Sequence, residues 1–383
     1  MPHTPDSEDE APYEPTERPP VHYAEQALLG ALLLDPALLE GLAELAPASF
    51  GNPFHAALFA AMRTVPAPEE RAHRAGLDWL NAVLAQAQTE TAGLTPSFLH
   101  SLLSACPRPR HAAAYAAMIR SEHARRTVRL HAEKLAQAAT DTTVPDRPGH
   151  ALAAADALAR HLDELTSRFP SHSGPMPRTP PPPPAPPPTD AQEALEAEQW
   201  LLASGVAWPT YVKEMRWLSA DDFLRPVYAG LWQCVTALAH RGDPVDPITV
   251  LWEAQHRGVL AAGITPADTL ALLSTPVGSP DYWGERLVER TLLTRARHVA
   301  ERVTAYADDP ANSVHQLITG SRRALADLHA VRSRWQRATR SPPASTAQAE
   351  TTVTSRASPR SLRTIPTTPA RAFPARPTPG RAP

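Results

Sequence analysis

Apolar residues recur at three- and four-residue spacing through most of 19–168 and 191–336, and the alternation that marks a half-buried strand is almost missing. The pattern predicts helices throughout. Their starts are marked by a capping residue followed by proline, at Asp35-Pro36, Asn52-Pro53, Thr95-Pro96, Asp246-Pro247, Thr265-Pro266 and Ser279-Pro280. Proline there gives up only an N–H that has no helical partner, and its fixed φ suits the first turn. Gly242 and Gly258 stand where helices are expected to stop. One long helix is predicted from about Arg108 to Ala139, with Tyr115, Ile119 and Leu130 as its apolar set. Trp217, Trp232 and Trp252 fall at core spacing.

The pattern occurs twice. "AEQALLGALLLDP" from Ala24 to Pro36 returns as "AEQWLLASGVAWP" from Ala197 to Pro209. At an offset of 173, Glu25 meets Glu198, Leu28-Leu29 meets Leu201-Leu202, Phe50 meets Phe223 and Pro53 meets Pro226. At 170, Thr95-Pro96 meets Thr265-Pro266; at 168, Tyr115 meets Trp283, Arg129 meets Arg297 and Glu133 meets Glu301. The offset changes only where loops are expected, and a period this long denotes a duplicated domain rather than a solenoid unit.

The first copy, "PPVHYAEQALLGALLLDPALLEGLAELAPASFGNPFHAALFAAM" (19–62), resembles the start of the N-terminal domain of DnaB-type replicative helicases, a bacterial family. The second copy resembles later helices of that domain in "SADDFLRPVYAGLWQCVTAL", "GDPVDPITVLWEAQHRGVL" and "YWGERLVERTLL". A further helix follows each copy, at 150–169 and 313–335, where the family has its linker helix. The copies also depart from the pattern and from each other. His55 faces Tyr228 across the repeat, "GALLLDP" becomes "ASGVAWP", and the third helix of the first copy is blurred to "LDWLNAVLAQAQTETAG". The resemblance implies a helical domain that pairs through a helical hairpin and meets primase or a helicase loader.

Composition divides the chain further. Its 44 prolines in 383 residues are about twice the usual share. "FPSHSGPMPRTPPPPPAPPPTD" (169–190) favours polyproline II and separates the copies. Fully extended, it reaches roughly 68 Å at about 3.1 Å per residue, enough to let the two copies pair inside one molecule. Residues 1–18 form an acidic arm and 337–383 a basic tail; eight arginines against Glu350 give the tail a balance of +7. Both termini are expected to be disordered. The expected fold is therefore all-α, with helical domains at 19–168 and 191–336 arranged as an intramolecular pseudo-dimer or a homodimer. The N-terminus is acidic rather than signal-like, and the longest apolar run, Ala27–Leu34, is too short to span a bilayer. A cytoplasmic, membrane-free protein is expected.

Catalytic chemistry finds no support. A phosphate-binding loop needs a lysine after glycine and before a hydroxyl, and the only lysines, Lys134 and Lys213, meet neither condition. No HExxH or GxSxG occurs, and Cys106 and Cys234 follow no paired spacing. His111, His123 and His131 share no helix face suited to a metal. Ser219 and Asp222 have capping-box spacing, which explains the Asp221-Asp222 pair. No enzyme, cofactor or metal is expected.

Binding is the remaining class. Candidate contacts on the long helices are Tyr115, Ile119, Arg125, Arg126 and Arg129, with Trp283, Arg290 and Arg297 in the second copy; the alternative is a solvated helix face. Trp208 and Tyr211 are candidate exposed anchors in the segment that departs from the family. In the tail, Arg356, Arg360, Arg363, Arg371 and Arg376 are placed either to engage nucleic-acid phosphates nonspecifically or simply to keep the segment soluble. The expected function is a non-catalytic interaction module of DNA replication, with a replicative helicase, primase or helicase loader as partner. The alternative is a nucleic-acid-binding accessory protein acting through the tail.

Overall fold

The computed structural model describes residues 18–169, 176–180 and 191–340. Most of the acidic arm, most of the proline-rich linker and the tail arginines Arg356, Arg360, Arg363, Arg371 and Arg376 lie outside the described residues. Among the described residues all regular structure is helical, as the spacing predicts.

The first copy comprises α1 (Pro20–Leu34), α2 (Pro53–Thr64), α3 (Glu70–Ala75), α4 (Asp78–Glu90), α5 (Pro96–Ala105), α6 (Ala112–Thr140) and α7 (Arg147–Arg168). The second comprises α8 (Ala191–Ala207), α9 (Pro209–Val212), α10 (Pro226–Arg241), α11 (Pro247–His256), α12 (Pro266–Leu273), α13 (Pro280–Asp308) and α14 (Val314–Arg340). Short 3-10 turns join them. The expected starts recur with their chemistry: Asn52 Oδ1 accepts the Phe54 N–H at 2.9 Å, Thr95 Oγ1 that of Phe98 at 3.2 Å, and Asp246 Oδ1 those of Ile248 and Thr249. Asp35 opens a 3-10 turn rather than an α-helix, and Ser279 makes no side-chain cap bond. Gly242 ends α10 at φ +78°, a conformation costly for residues with a Cβ.

Each copy builds a head from its shorter helices and projects a hairpin, α6–α7 or α13–α14. The repeated Leu28-Leu29 and Leu201-Leu202 are fully buried under the heads. Gly30 lets α1 and α5 touch, since a Cβ there would sit 2.1 Å from the Leu102 carbonyl oxygen. The long helices are both 29 residues and keep the 168 offset in their burial: Ala124 and Leu292, Val128 and Ala296, Ala132 and Ala300, Leu135 and Val303 are all buried. The helices at 150–169 and 313–335 fold back on the long ones as return arms, and α14 runs on to Arg340, past the expected boundary at 336.

The two hairpins pack on each other as a four-helix bundle, with α6 against α13 and α7 against α14. As a result the cores do not divide at the linker. One core fills the first head, from Ala24 to Ile119; the other joins the outer half of α6 and all of α7 to the whole second copy, from Ala124 to Ala338. α6 and α13 run antiparallel: Arg129 pairs with Asp308 at the end of α13 at 2.9 Å, while Ala139 at the end of α6 lies on the same cavity as Leu293, nearer the start of α13. Each hairpin turn therefore lies beside the other copy's head. Arg322 pairs with Asp163 and Arg332 with Asp156 along the α7–α14 seam.

One of the two ends is tightly closed. Arg125 of α6 donates to the carbonyls of Ala307 (3.2 Å), Asp309 (2.8 Å) and Asn312 (2.8 Å), capping the turn of the second hairpin. The linker segment 176–180 straps the same turn: Thr179 Oγ1 donates to Asp309 Oδ2 and accepts from Asn312 Nδ2, both at 2.7 Å. Trp252 departs from expectation. Trp217 and Trp232 are core, but Trp252 is 63% exposed on α11, because Val250 and Ala254 take the buried face of that helix.

Arg125→Ala is expected to lower the unfolding free energy by about 2–3 kcal/mol, since a charged donor to several half-buried carbonyls is lost. Arg120→Ala, which removes only the exposed pair with Glu44, is expected to cost less than about 1 kcal/mol. Urea unfolding of the two variants measures the difference.

Candidate functional site

The duplicated glutamate has a structural task. Glu25 and Glu198 are both almost completely buried. Glu25 Oε1 accepts the Gly51 N–H and Glu198 Oε1 the Leu224 N–H, each at 2.6 Å, at equivalent points just before α2 and α10. A buried carboxylate needs compensation, and the copies supply it differently. His55 Nδ1 lies 2.7 Å from Glu25 Oε2 in the first. In the second, Arg290 Nη2 reaches Glu198 Oε1 at 2.9 Å, while Tyr228, at the place of His55, accepts a bond from Gln199. Burial alone would raise the Glu25 carboxyl, but the bonds from His55 and the Gly51 N–H outweigh it and hold it below its ordinary value. Arg126 and Arg290 sit one helical turn apart by the repeat, yet both donate to the same acceptor position, the carbonyl of Ser49 in one copy and of Asp222 in the other.

Most of the sequence candidates are thus engaged inside the chain. Ile119 lies in the core of the first head, and Tyr115 packs half-buried beside it. Arg125 and Arg129 join the copies, and Arg126 and Arg290 tie long helices to their heads. Arg297 lies 3.5 Å from Glu301. The Trp283 ring lies tilted against that of Trp200, with centroids 4.6 Å apart, and its Nε1 donates to the Val277 carbonyl. The Ser219–Asp222 capping box forms, with Asp222 Oδ2 accepting the Ser219 N–H at 2.8 Å and also meeting Arg334.

Both copies expose large apolar side chains, and the exposed tryptophans are on the second head. Trp208 is 40% exposed, and Tyr211 beside it is half-buried. Ile248 and Trp252 form an i, i+4 ridge on the outer face of α11, with His256 packed on the Trp252 ring at 5.0 Å. Sequence reasoning missed this ridge. Its signal was the pair Val250 and Ala254, whose burial turns residues two positions away outward. Below the ridge, Glu253 is held at about 2 by Arg241 and Arg257.

Among the described residues no cluster of three or more histidine, cysteine or carboxylate side chains could hold a metal ion. Burial pushes the Cys234 thiol up to about 11 and raises that of Cys106 as well, which makes both poor nucleophiles. No helix of the described residues is long and apolar enough to cross a membrane.

The first hairpin carries a titratable seam. His131 and His161 stack at 4.7 Å between α6 and α7, and His161 Nε2 lies 2.8 Å from Thr127 Oγ1. Burial, then neighbouring charges, lowers His123, His131 and His161; the facing groups are Arg126, Lys134, Arg160 and Arg168, opposed by Glu164. An imidazole lowered by folding binds fewer protons than its unfolded form, whose pKa is about 6.5. Its stabilisation is complete above that value and lost as pH falls through the lowered folded pKa. The melting temperature is therefore expected to drop between about pH 7.5 and about pH 5.5, and replacing all three histidines by Gln is expected to flatten that slope.

Comparison with known proteins agrees with this geometry. The family model described as "DnaB-like helicase N terminal domain" matches residues 17–121 and 190–285, a little over half of the chain. Each match covers one head and ends inside the long helix that follows. The Replicative DNA helicase DnaB of Mycobacterium leprae (strain TN) is 30% identical over 91 residues, which are 23% of this chain and 15% of that relative. The chain thus spans only a small part of the length of that curated relative. No solved structure matches. With two heads of the matched type joined by a shared bundle, the chain belongs to the family that carries the DnaB-like helicase N-terminal domain, and it carries that domain twice.

Proposed function

We propose that the chain is a docking module of the DNA replication machinery: two helicase-type N-terminal domains fused into one pseudo-dimer, without the nucleotide-driven motor. The observation that carries this reading is the pairing of α6–α7 with α13–α14 inside a single chain. It supplies covalently an arrangement that separate copies would reach only by association, and so presents a ready-made paired surface at any concentration. The lack of a phosphate-binding loop around Lys134 or Lys213 agrees with a role that turns over no nucleotide. The proposed partners are a replicative helicase, a primase or a helicase loader, in the cytoplasm. Trp252 and Trp208 on the second head are the proposed anchors, since exposed tryptophans concentrate binding energy.

A second reading rests on the charge of 337–383. Its eight arginines suit sequence-blind contact with nucleic-acid phosphates, with affinity falling steeply as salt rises. The two readings separate in one experiment. Tagged chain purified from nuclease-treated native cells is expected to retain helicase, primase or loader after removal of 341–383, and to lose it in Trp252→Ala. Recovery of none of these partners contradicts the docking reading. Capture that disappears with nuclease or with the tail favours the second.

A further inference from the structure

The fused pair closes one of its two ends and leaves the other open. At the closed end Arg125 fills the space between the first head and the turn of the second hairpin. The residue at its place in the second copy, by the 168 offset, is Leu293. Leucine offers no donor at that position. A cavity of about 580 Å³ remains between the turn of the first hairpin and the second head, bounded by Ala139 and Thr140 on one side and by α8 and α13 on the other. Its volume lies within the range of small-ligand sites, about 300–1,000 Å³.

Aromatic rings and arginines line it, together with the carboxylates of Glu193 and Glu289. Trp200, Tyr282 and Trp283 form an aromatic wall, with ring centroids 4.6 and 4.8 Å apart and Tyr282 54% exposed. Four arginines stand beside it, and they are not equally occupied. Arg290 is committed to Glu198 and Arg286 to Glu289. Arg147 spends one Nη2 bond on the Ala139 carbonyl at 3.0 Å, while its Nε has no partner. Arg297 has only the 3.5 Å approach to Glu301, and its Nε also makes no hydrogen bond. Arg147 and Arg297, each with an incompletely bonded guanidinium, therefore border the same cavity as three aromatic rings set at 44° and 77° to one another.

We infer that this cavity binds a nucleotide, with the base stacked on the aromatic wall of Trp200, Tyr282 and Trp283 and the phosphate held by Arg147 and Arg297. Guanidinium forks match phosphate oxygens in pairs, and base stacking on aromatic side chains tolerates any base. The inference does not rest on the docking reading. The site is one of binding only.

The test titrates the full chain with AMP, ATP, inorganic phosphate, an oligothymidylate and an acidic peptide, reading tryptophan fluorescence and equilibrium dialysis. AMP and ATP are expected to saturate one site per chain and quench the tryptophans, with inorganic phosphate at least about tenfold weaker. Leu293→Arg, which copies Arg125 into the cavity, is expected to abolish binding. Arg147→Ala and Arg297→Ala are each expected to weaken it about tenfold with the helical circular dichroism unchanged, and they decide the matter if Leu293→Arg does not fold. An oligothymidylate that displaces AMP identifies the bound nucleotide as part of a strand, and one that does not identifies it as free; both support the site. No saturation at millimolar nucleotide, binding indifferent to both arginine variants, inorganic phosphate equal to AMP, or saturation by the acidic peptide alone overturns the inference.

Discussion

The structure depends on the antiparallel contact of α6 and α13. Each long helix carries small and β-branched residues at its buried positions, Ala124, Val128 and Ala132 against Ala296, Val299 and Ala300, which allows close approach along the length of the hairpins. Without that contact the outer half of α6 and the apolar face of α7 would stand in water. Leu158, Leu162 and Leu165 of α7 belong to the same continuous core as Leu317, Leu328 and Val331 of α14. The first head keeps a separate core of its own. The cooperative unit is therefore not the repeat but the bundle plus the second copy.

Once the bundle is fixed, its ends become the places where the two copies differ. The repeat gives the bundle two corresponding ends, and they carry different residues. Arg125 and the strap at 176–180 lock one; Leu293 leaves the other as a cavity walled by aromatics and arginines. The buried glutamates diverged in a parallel way. The first copy pairs its buried carboxylate with a histidine and the second with an arginine.

Much of this was legible in the chain. The repeat offsets named the equivalent positions correctly along α6 and α13, and the proline-marked starts named most helices, because both signals are local. The role of Glu25 and Glu198 was not legible, since their N–H donors lie 26 residues away in sequence. Nor was the use of Arg125, Arg126, Arg129 and Arg290: a charged helix face reads as solvated until the opposing carbonyls and carboxylates are in place. Trp252 was taken for core because aromatic residues at helical spacing fit either face. Only the burial of Val250 and Ala254 distinguishes them.

The central claim is that the two copies are held by the bundle and not merely tethered by the linker. It is tested most directly by placing a protease site within Pro181–Pro188 of the full chain, cutting it, and measuring the mass of the product in solution at micromolar concentration. The account predicts that the two pieces stay together as a one-to-one complex with undiminished helicity. Two pieces that separate on cutting would contradict it.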